Sequence, residues 1–189
     1  MNERVDLKLD KATFLDWVQH QDGRYELVRG RVVMHAGGTR WHAYVASRIM
    51  GLLMQRVDGS RWSVVAGDLA IDVGPSLRYP EILVECSSTE GRALSTEEPV
   101  VLVEVISPSS RTTDFGEKAN EYLALASLEA YVIAAQDATQ VWVWTRDAAA
   151  DGSRPFPDKP VLLETRDAVL AIPAIGFACS VGEIYDGIL

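Results

Sequence analysis

Apolar and polar residues follow two different rhythms along this chain, and together they predict a mixture of helices and strands. A period near 3.6 residues, which places apolar side chains on one helix face, predicts helices over residues 9–18, 41–57 and 181–185. Period-two alternation and short apolar runs predict strands over residues 24–28, 31–35, 62–66, 69–73, 81–86, 100–106, 130–135, 140–144, 161–164 and 168–172. The expected fold is α/β in the broad sense, an α+β arrangement with a mixed β-sheet flanked by helices.

The run from Val100 to Ile106 is apolar except for one carboxylate, Glu104, at its centre. Such a run is typical of a strand that is buried on both faces. An unpaired carboxylate in that position would cost several kcal/mol. Glu104 therefore needs a metal ion, a lysine or a raised pKa as compensation, and functional sites are where such arrangements concentrate.

Two further residues can reach the same place. Glu81 opens the strand at 81–86 directly after Pro80, and it converges with Glu104 if the two strands are neighbours. Thr113 or Asp114 can cap a helix that follows the Glu104 strand. Lys118 lies near the apolar stripe of that helix, and a helical side chain leans toward its own N-terminus, which brings the amine toward Glu104.

Two acids and a lysine at strand ends suit metal-dependent phosphodiester hydrolysis. Carboxylates are the preferred ligands of hard divalent cations such as Mg²⁺ or Mn²⁺, which polarise a phosphate and lower the pKa of bound water. A lysine can stabilise developing charge or orient the nucleophile. The predicted site is therefore Glu81, Glu104 and Lys118, with both acids on the cation.

Several segments also carry a family resemblance: Arg24-Tyr25-Glu26-Leu27-Val28-Arg29-Gly30, Tyr79-Pro80-Glu81, Leu102-Val103-Glu104-Val105-Ile106-Ser107-Pro108-Ser109, Asp114-Phe115-Gly116-Glu117-Lys118 with Tyr122, and Glu183-Ile184-Tyr185. Together they resemble the Uma-two group of restriction endonucleases, within the PD-(D/E)xK nuclease superfamily. The resemblance implies a restriction-endonuclease-like core, DNA as substrate, Glu81 and Glu104 as metal ligands, and Lys118 as the catalytic lysine. Two positions depart from the superfamily pattern, since Glu81 replaces an aspartate and Ile106 stands where the lysine is usual.

Each site residue also has an alternative interpretation. Glu104 can belong to a structural ion pair, and Glu81 can be an edge carboxylate facing water, with Glu85 as the substitute ligand on the same face. Lys118 can pair with Asp114 at i,i+4. The secondary candidates are Glu26, as an extra acid beside the hairpin, His42, Asp68 with Asp72 on one strand face, and Glu85.

Composition limits the possible partners and compartments. The 189 residues predict one domain over 1–189, with residues 1–20 as an N-terminal helical extension. The sequence shows no apolar run long enough for a membrane span and no signal-peptide pattern, so we expect a cytoplasmic protein. Cys86 and Cys179 are expected to be small buried hydrophobes rather than zinc ligands.

The formal net charge of −9 weighs against nucleic acid as a partner, because DNA-binding surfaces are usually basic. Arginines can still surround one cleft, with Arg40, Arg48, Arg92 and Arg111 as candidates. The first hypothesis is a magnesium-dependent deoxyribonuclease that acts as a homodimer, since duplex cleavage needs two opposed sites. The alternative is a catalytically degenerate member that serves as a binding or assembly module. Trp142 and Trp144 share a strand face that predicts core or dimer-interface packing.

Overall fold

The strands of this protein form two large sheets. The computed structural model describes residues 3–35, 37–87, 91–107, 113–146 and 154–188. The turn at residues 108–110, Arg111 and much of the predicted loop at 147–160 lie outside these ranges. The strands in chain order are β1 Glu3–Lys8, β2 Arg24–Val28, β3 Arg31–His35, β4 Trp62–Ala66, β5 Ala70–Val73, β6 Ser76–Arg78, β7 Ile82–Cys86, β8 Ser95–Thr96, β9 Pro99–Ile106, β10 Ala130–Ala135, β11 Val141–Thr145, β12 Val161–Leu163, β13 Val169–Ile172 and β14 Phe177–Ser180.

The first sheet has the strand order β1-β3-β2-β6-β5-β8, and the second has the order β12-β11-β10-β9-β7-β4. The second sheet is mixed, because β9 runs parallel to β10 and antiparallel to β7. Every residue of β9 is buried, as its apolar sequence predicts. A short pair of strands, β13 and β14, completes the described topology.

Helices cover both faces of the second sheet. Helix α1 (Lys11–Val18) begins at Asp10, whose carboxylate accepts a hydrogen bond from Thr13 N, and α2 (Arg40–Arg56) begins at Thr39. A π-helical segment (Asp114–Lys118) continues directly into α3 (Ala119–Leu123). A 3₁₀ turn (Pro173–Ile175) and the short α4 (Val181–Ile184) follow near the C-terminus.

The two faces of β9 belong to two separate cores. Val101, Val103 and Val105 pack against α2, whereas Leu102 and Ile106 pack in the cluster that contains Tyr122 and Tyr131. Glu104 lies between Leu102 and Ile106 in period two, so it shares their face. The fold therefore places Glu104 on the side of the sheet that also carries Lys118 and Tyr122.

The predicted fold class is confirmed, since mixed sheets flanked by a few helices are observed. The predicted elements agree with the structure within one or two residues, whereas β1, β6, β8 and β14 were not predicted. One sheet was expected and two are found. The N-terminal 20 residues are not simply helical, because β1 pairs with β3 before α1 begins. β6 and β8 have too few residues to display a period, whereas β1 has six residues and was missed although Val5 and Leu7 alternate with polar residues.

Some smaller predictions need correction. Cys179 is buried as expected, but Cys86 is exposed because it ends β7 beside the edge strand β4. Asp68 and Asp72 do not share a strand face, since Asp68 lies in the turn before β5 and Asp72 forms an ion pair with Lys11. No helix in the described part of the chain is long and apolar enough to span a membrane.

Candidate active site

A cleft of about 760 Å³ is lined by residues of both sheets and of the helices beside them. Glu26 and His35 come from the first sheet, Glu104 comes from β9 of the second, and Lys118 comes from the π-helical segment. Glu81 and His42 also line the cleft. The structure therefore brings the three primary candidate residues, Glu81, Glu104 and Lys118, into one cavity.

Lys118 lies at the centre of a group of carboxylates. Its Nζ is 2.9 Å from Glu104 Oε1, 3.2 Å from Glu26 Oε1 and 3.7 Å from Asp114 Oδ1. The lysine side chain is only 5% exposed. Burial lowers the pKa of Lys118, but Glu104, Glu26 and Asp114 outweigh that effect and hold the pKa well above its ordinary value. Lys118 is therefore a fixed cation rather than a proton acceptor.

Asp114 and Lys118 both line the cleft from the π-helical segment. Such segments are rare, are usually one turn long and occur often at functional sites. The Tyr131 hydroxyl donates to the Asp114 carbonyl oxygen at 3.2 Å, which ties the first turn of the segment to β10. The predicted i,i+4 contact between Asp114 and Lys118 is present, but it accompanies the Glu104 contact and does not replace it.

Glu26 is fully enclosed by positive and hydrogen-bond-donating groups. Arg78 Nη1 donates to its Oε2 at 2.9 Å, His35 Nε2 lies 2.9 Å from the same oxygen, and Tyr79 N donates to Oε1 at 3.2 Å. Burial raises the pKa of Glu26, but Lys118, His35 and Arg78 together hold it well below the ordinary value. The solvated position considered for Glu26 is wrong, because its side chain is 2% exposed.

Glu104 is buried with far less compensation. Lys118 Nζ and the Tyr122 hydroxyl both donate to Oε1, at 2.9 and 3.1 Å. Burial raises the pKa of Glu104 to about 8, because Lys118 only partly offsets the burial, and Asp114 and Glu26 add repulsion. Both hydrogen bonds of this side chain within the described ranges fall on Oε1. Oε2 is therefore the oxygen that remains for a ligand in the cleft.

Glu81 stands just before β7, next to the end of the Glu104 strand. Ile82 pairs with Val103, and the same antiparallel register continued by one residue sets Glu81 opposite Glu104. His42 Nε2 is 3.2 Å from Glu81 Oε1. Burial raises the pKa of Glu81, but the hydrogen bond and charge of His42 outweigh it, so the pKa is lowered. The same hydrogen bond raises the pKa of His42 despite its partial burial.

The other secondary candidates lie in different places. Asp68 is exposed and lines the cleft. Glu85 is half-buried, belongs to the opposite end of β7 and pairs with Ser63 and Pro99, so it does not line the cleft. Because Glu81 itself faces the cleft, the geometry gives no reason to substitute Glu85.

Arg78 is the main site residue that the sequence interpretation missed. Its side chain is 2% exposed, and it contacts Glu26 at 2.9 Å, Glu121 at 2.7 Å and Glu117 at 3.6 Å. His35 and Glu121 were also missed, and Tyr122 was quoted in the family resemblance without a role at the site. An arginine in the three-residue strand Ser76–Arg78, directly before Tyr79-Pro80-Glu81, was the available signal, but so short a strand shows no period.

Hard oxygen donors at the cleft fit a small divalent cation. Among the described residues, no three His, Cys, Asp or Glu side chains are arranged so that one ion could touch all of them. Two facing carboxylates suit Mg²⁺, which usually keeps several waters and takes one or two protein carboxylates. Glu81 and Glu104 Oε2 are the groups that could hold such an ion, whereas the free cysteines are not among the residues that line the cleft.

Two sheets flanked by helices, with acids and a buried lysine in one cleft, define a restriction-endonuclease-like α+β protein. Residues 12–175 match the family model described as "Uma2: Putative restriction endonuclease". Because the match covers most of the 189 residues, the chain belongs to this family. The predicted family resemblance is confirmed.

Two other proteins are similar over nearly the whole chain. The "Uncharacterized protein slr1290" of Synechocystis sp. is 24% identical over 184 residues, which cover 96% of this chain and 93% of that protein. A crystal structure described as "a putative nuclease belonging to DUF820" from Anabaena variabilis has a TM-score of 0.73 at 16% identity, and the match covers 93% of this chain and 98% of that one. At this identity the structural likeness establishes the fold alone.

Proposed function

We propose that this protein is a metal-dependent endonuclease that hydrolyses phosphodiester bonds of DNA, with Glu81, Glu104 and Lys118 as its catalytic residues. The observation that carries the proposal is the convergence of both acids and the lysine in one cleft, with Lys118 Nζ 2.9 Å from Glu104. Family membership supports nuclease chemistry. Metal dependence and the DNA substrate are the parts that the experiments below test.

The residues divide the chemical work according to their charge. A bound Mg²⁺ or Mn²⁺ would polarise the phosphate and make a nucleophile from water. Glu81 is ionised at neutral pH, since His42 lowers its pKa, and it would hold the cation. Lys118 stays protonated and would stabilise the charge that develops on the phosphate. Glu26 would keep the lysine in position and does not itself need to touch the substrate.

The partners follow from the chemistry of the reaction. Cleavage of both strands of a duplex needs two opposed sites, so a homodimer remains a prediction, testable by the mass in solution.

Trp142 contacts Phe115 in an edge-on ring pair and Trp144 is buried beside the same ring, so these tryptophans serve mainly core packing. The cytoplasmic location also remains a prediction.

A second candidate function is a degenerate nuclease fold that binds or assembles without cleaving. The observation that favours it is the contact of Lys118 with three carboxylates. The lysine already balances part of their negative charge, so less of that charge is left to bind a metal cation. The net charge of −9 points the same way. A metal titration separates the two functions.

The test compares metal binding and cleavage in the parent and in Glu104→Gln. A cation at 100 times its dissociation constant stabilises the parent by about 2.7 kcal/mol, or roughly 5–10 °C in melting temperature for a chain of this size. Glu104→Gln keeps the Oε1 acceptor for Lys118 and Tyr122 but replaces Oε2, the oxygen that remains for a cation, with an amide NH₂ group that cannot ligate it. We expect it to lose both the metal shift and Mn²⁺-dependent plasmid cleavage.

Glu85→Gln is the matched control, because it removes a carboxylate from β7 outside the cleft. It should behave as the parent in both assays. A parent that melts at the same temperature with and without Mg²⁺ or Mn²⁺, and leaves plasmid and single-stranded DNA intact, contradicts the nuclease proposal and supports the degenerate module.

A further inference from the structure

An exposed aromatic pair lies beside the cleft on the first two turns of α2. Trp41 is 44% exposed and Tyr44 is 49% exposed. Their ring centroids are 5.9 Å apart with the planes at 80°, so each ring braces the other. Two exposed aromatic side chains in contact form an apolar patch, and Trp and Tyr are enriched at binding surfaces. Their ring faces are the feature that any partner would use.

The pair stands between two depressions of the surface. Thr39 and His42, which flank Trp41 in the sequence, line the candidate active site. On the other side, Tyr44 lines a groove of about 510 Å³ together with Ser47, Arg48 and Gly51. A Cβ added to Gly51 would meet no heavy atom within 4 Å, so the groove is open at that point. The aromatic pair therefore lies on α2 between residues that line the cleft and residues that line the groove.

The charges on this part of α2 are suited to a phosphate backbone. Arg40 is exposed and has no carboxylate partner among the described residues. Arg48 is exposed and uses one Nη2 hydrogen bond on the carbonyl oxygen of Asp186, at 2.9 Å. The Asp186 carboxylate lies 3.8 Å from Arg166 Nη2, which offsets its charge. Arg40 and Arg48 therefore offer positive charge to the phosphate groups of a strand that lies along this side of α2.

We propose that Trp41 and Tyr44 form a stacking platform for unpaired bases of a single-stranded DNA segment that passes from the cleft into the groove. Ring faces are available only to bases that are not stacked in a duplex, and such stacking depends little on sequence. Stacking also supplies affinity that does not depend on net charge. This matters because the net charge of the chain is −9 and would repel a nucleic acid. This inference rests on the proposed function and specifies its substrate as a strand with unpaired bases.

The test measures binding of a fluorescein-labelled oligothymidine of about 12 nucleotides and of a blunt duplex of equal length, in EDTA to prevent cleavage. We expect the full-length parent to bind the single strand more tightly than the duplex. Trp41→Ala and Tyr44→Ala should each weaken single-strand binding by about five-fold or more, since stacking on one ring is worth that much per base. Trp41→Phe, which keeps a ring face, should stay within about two-fold of the parent.

Met54→Ala is the matched control, because Met54 is the most exposed large apolar side chain on the same helix and lies outside both depressions. It should bind as the parent does. Equal binding by parent and Trp41→Ala, or tighter binding of the duplex, overturns the inference. A dimeric parent mass that becomes monomeric in Trp41→Ala also overturns it, because the surface is then an interface between copies.

Cleavage assays on the same preparations separate this inference from the proposed function. Glu104-dependent cleavage combined with unaltered binding by Trp41→Ala contradicts the platform only. Trp41-dependent binding of the single strand without any metal-dependent cleavage supports the platform and contradicts the nuclease. The two proposals therefore fail through different measurements.

Discussion

Glu26 and Glu104 contact the same lysine from the two sheets, and yet their pKa values move in opposite directions. Besides Lys118, Glu26 contacts Arg78, His35 and a backbone N–H group. Both of its carboxylate oxygens therefore have positive or hydrogen-bond-donating partners. Among the described residues, Glu104 accepts hydrogen bonds only from Lys118 and the Tyr122 hydroxyl, and both bonds fall on one oxygen. Glu26 therefore belongs to a structural ion-pair cluster in which its charge is fully balanced. Glu104 still lacks part of the positive charge that would compensate for its burial.

This contrast assigns a structural role to Glu26 and a ligand-binding role to Glu104 within one cluster of charged residues. A charge whose partners are complete contributes to holding the sheets together and has little left to offer a ligand. A buried carboxylate with an unmet need for positive charge is the group that a cation can stabilise most. We therefore expect mutations on the Glu26 side to affect folding, and mutations on the Glu104 side to affect ligand binding.

The largest effect should come from Glu26→Gln. It removes the charge that balances Lys118 and Arg78 in a dry environment, and breaking a buried pair in this way costs about 3–5 kcal/mol. Urea unfolding at neutral pH with EDTA measures the loss, whereas Glu104→Gln under the same conditions should be at least as stable as the parent. Equal losses in the two variants would remove the distinction between the two acids.

Arg78→Lys should have the next largest effect. Lysine keeps the charge, but it cannot reach Glu26 and Glu121 simultaneously with the fork that Nε and Nη1 provide. One of these acids is then left short of a partner, at a cost of about 2–3 kcal/mol. Denaturant unfolding gives the size of the loss. An Arg78→Lys protein as stable as the parent would show that charge alone, without geometry, satisfies Glu26.

The pH dependence of the free energy of unfolding tests whether the pKa of Glu104 is raised. The folded state keeps the Glu104 proton up to a pKa of about 8, whereas the unfolded state releases it near 4.5. The folded state therefore binds more protons between these values, and stability falls as pH rises from about 5 to 8. In EDTA, the parent should lose at least about 1.4 kcal/mol relative to Glu104→Gln over this window. Parallel pH profiles for the two proteins would contradict the raised pKa.

Tyr122→Phe should have the smallest effect. It removes one hydrogen bond to Glu104 Oε1 but leaves Lys118 in place and keeps the ring that packs on Tyr131. A single hydrogen bond of this kind contributes about 1 kcal/mol. Chemical denaturation with EDTA measures it. A loss as large as that of Glu26→Gln would mean that the hydroxyl, rather than the lysine, is the main partner of Glu104.

The sequence predicted the central strands because their patterns are strong. The apolar run around Glu104 specified a buried strand, and the hairpin of Arg24–Val28 and Arg31–His35 has the predicted bounds. The division into two sheets could not be predicted, because strand period describes faces and says nothing about which strands pair. The strands β6 and β8 have three and two residues, so neither is long enough to display a period, although β6 forms a tight hairpin with β5.

The strength of the local sequence pattern also explains which residues of the candidate site could be predicted. Glu81, Glu104 and Lys118 were predictable because each is a charge in or beside an apolar pattern, and their common cleft agrees with the predicted convergence. Their catalytic roles remain predictions. Arg78 and His35 were not found because their importance comes from contacts with Glu26 across the fold, and those contacts are fixed by tertiary packing alone.

The distance along the chain between Glu26 and its partners sets an order of assembly during synthesis. Glu26 and Lys118 are 92 positions apart, since 118 minus 26 is 92. At about 5–20 residues per second, Glu26 leaves the ribosome roughly 5–20 s before Lys118. The hairpin of β2 and β3 can form in that interval, and its carboxylate can already contact His35 and Arg78. The contact with Lys118 is added last, so closure of the cleft around the lysine is a late event.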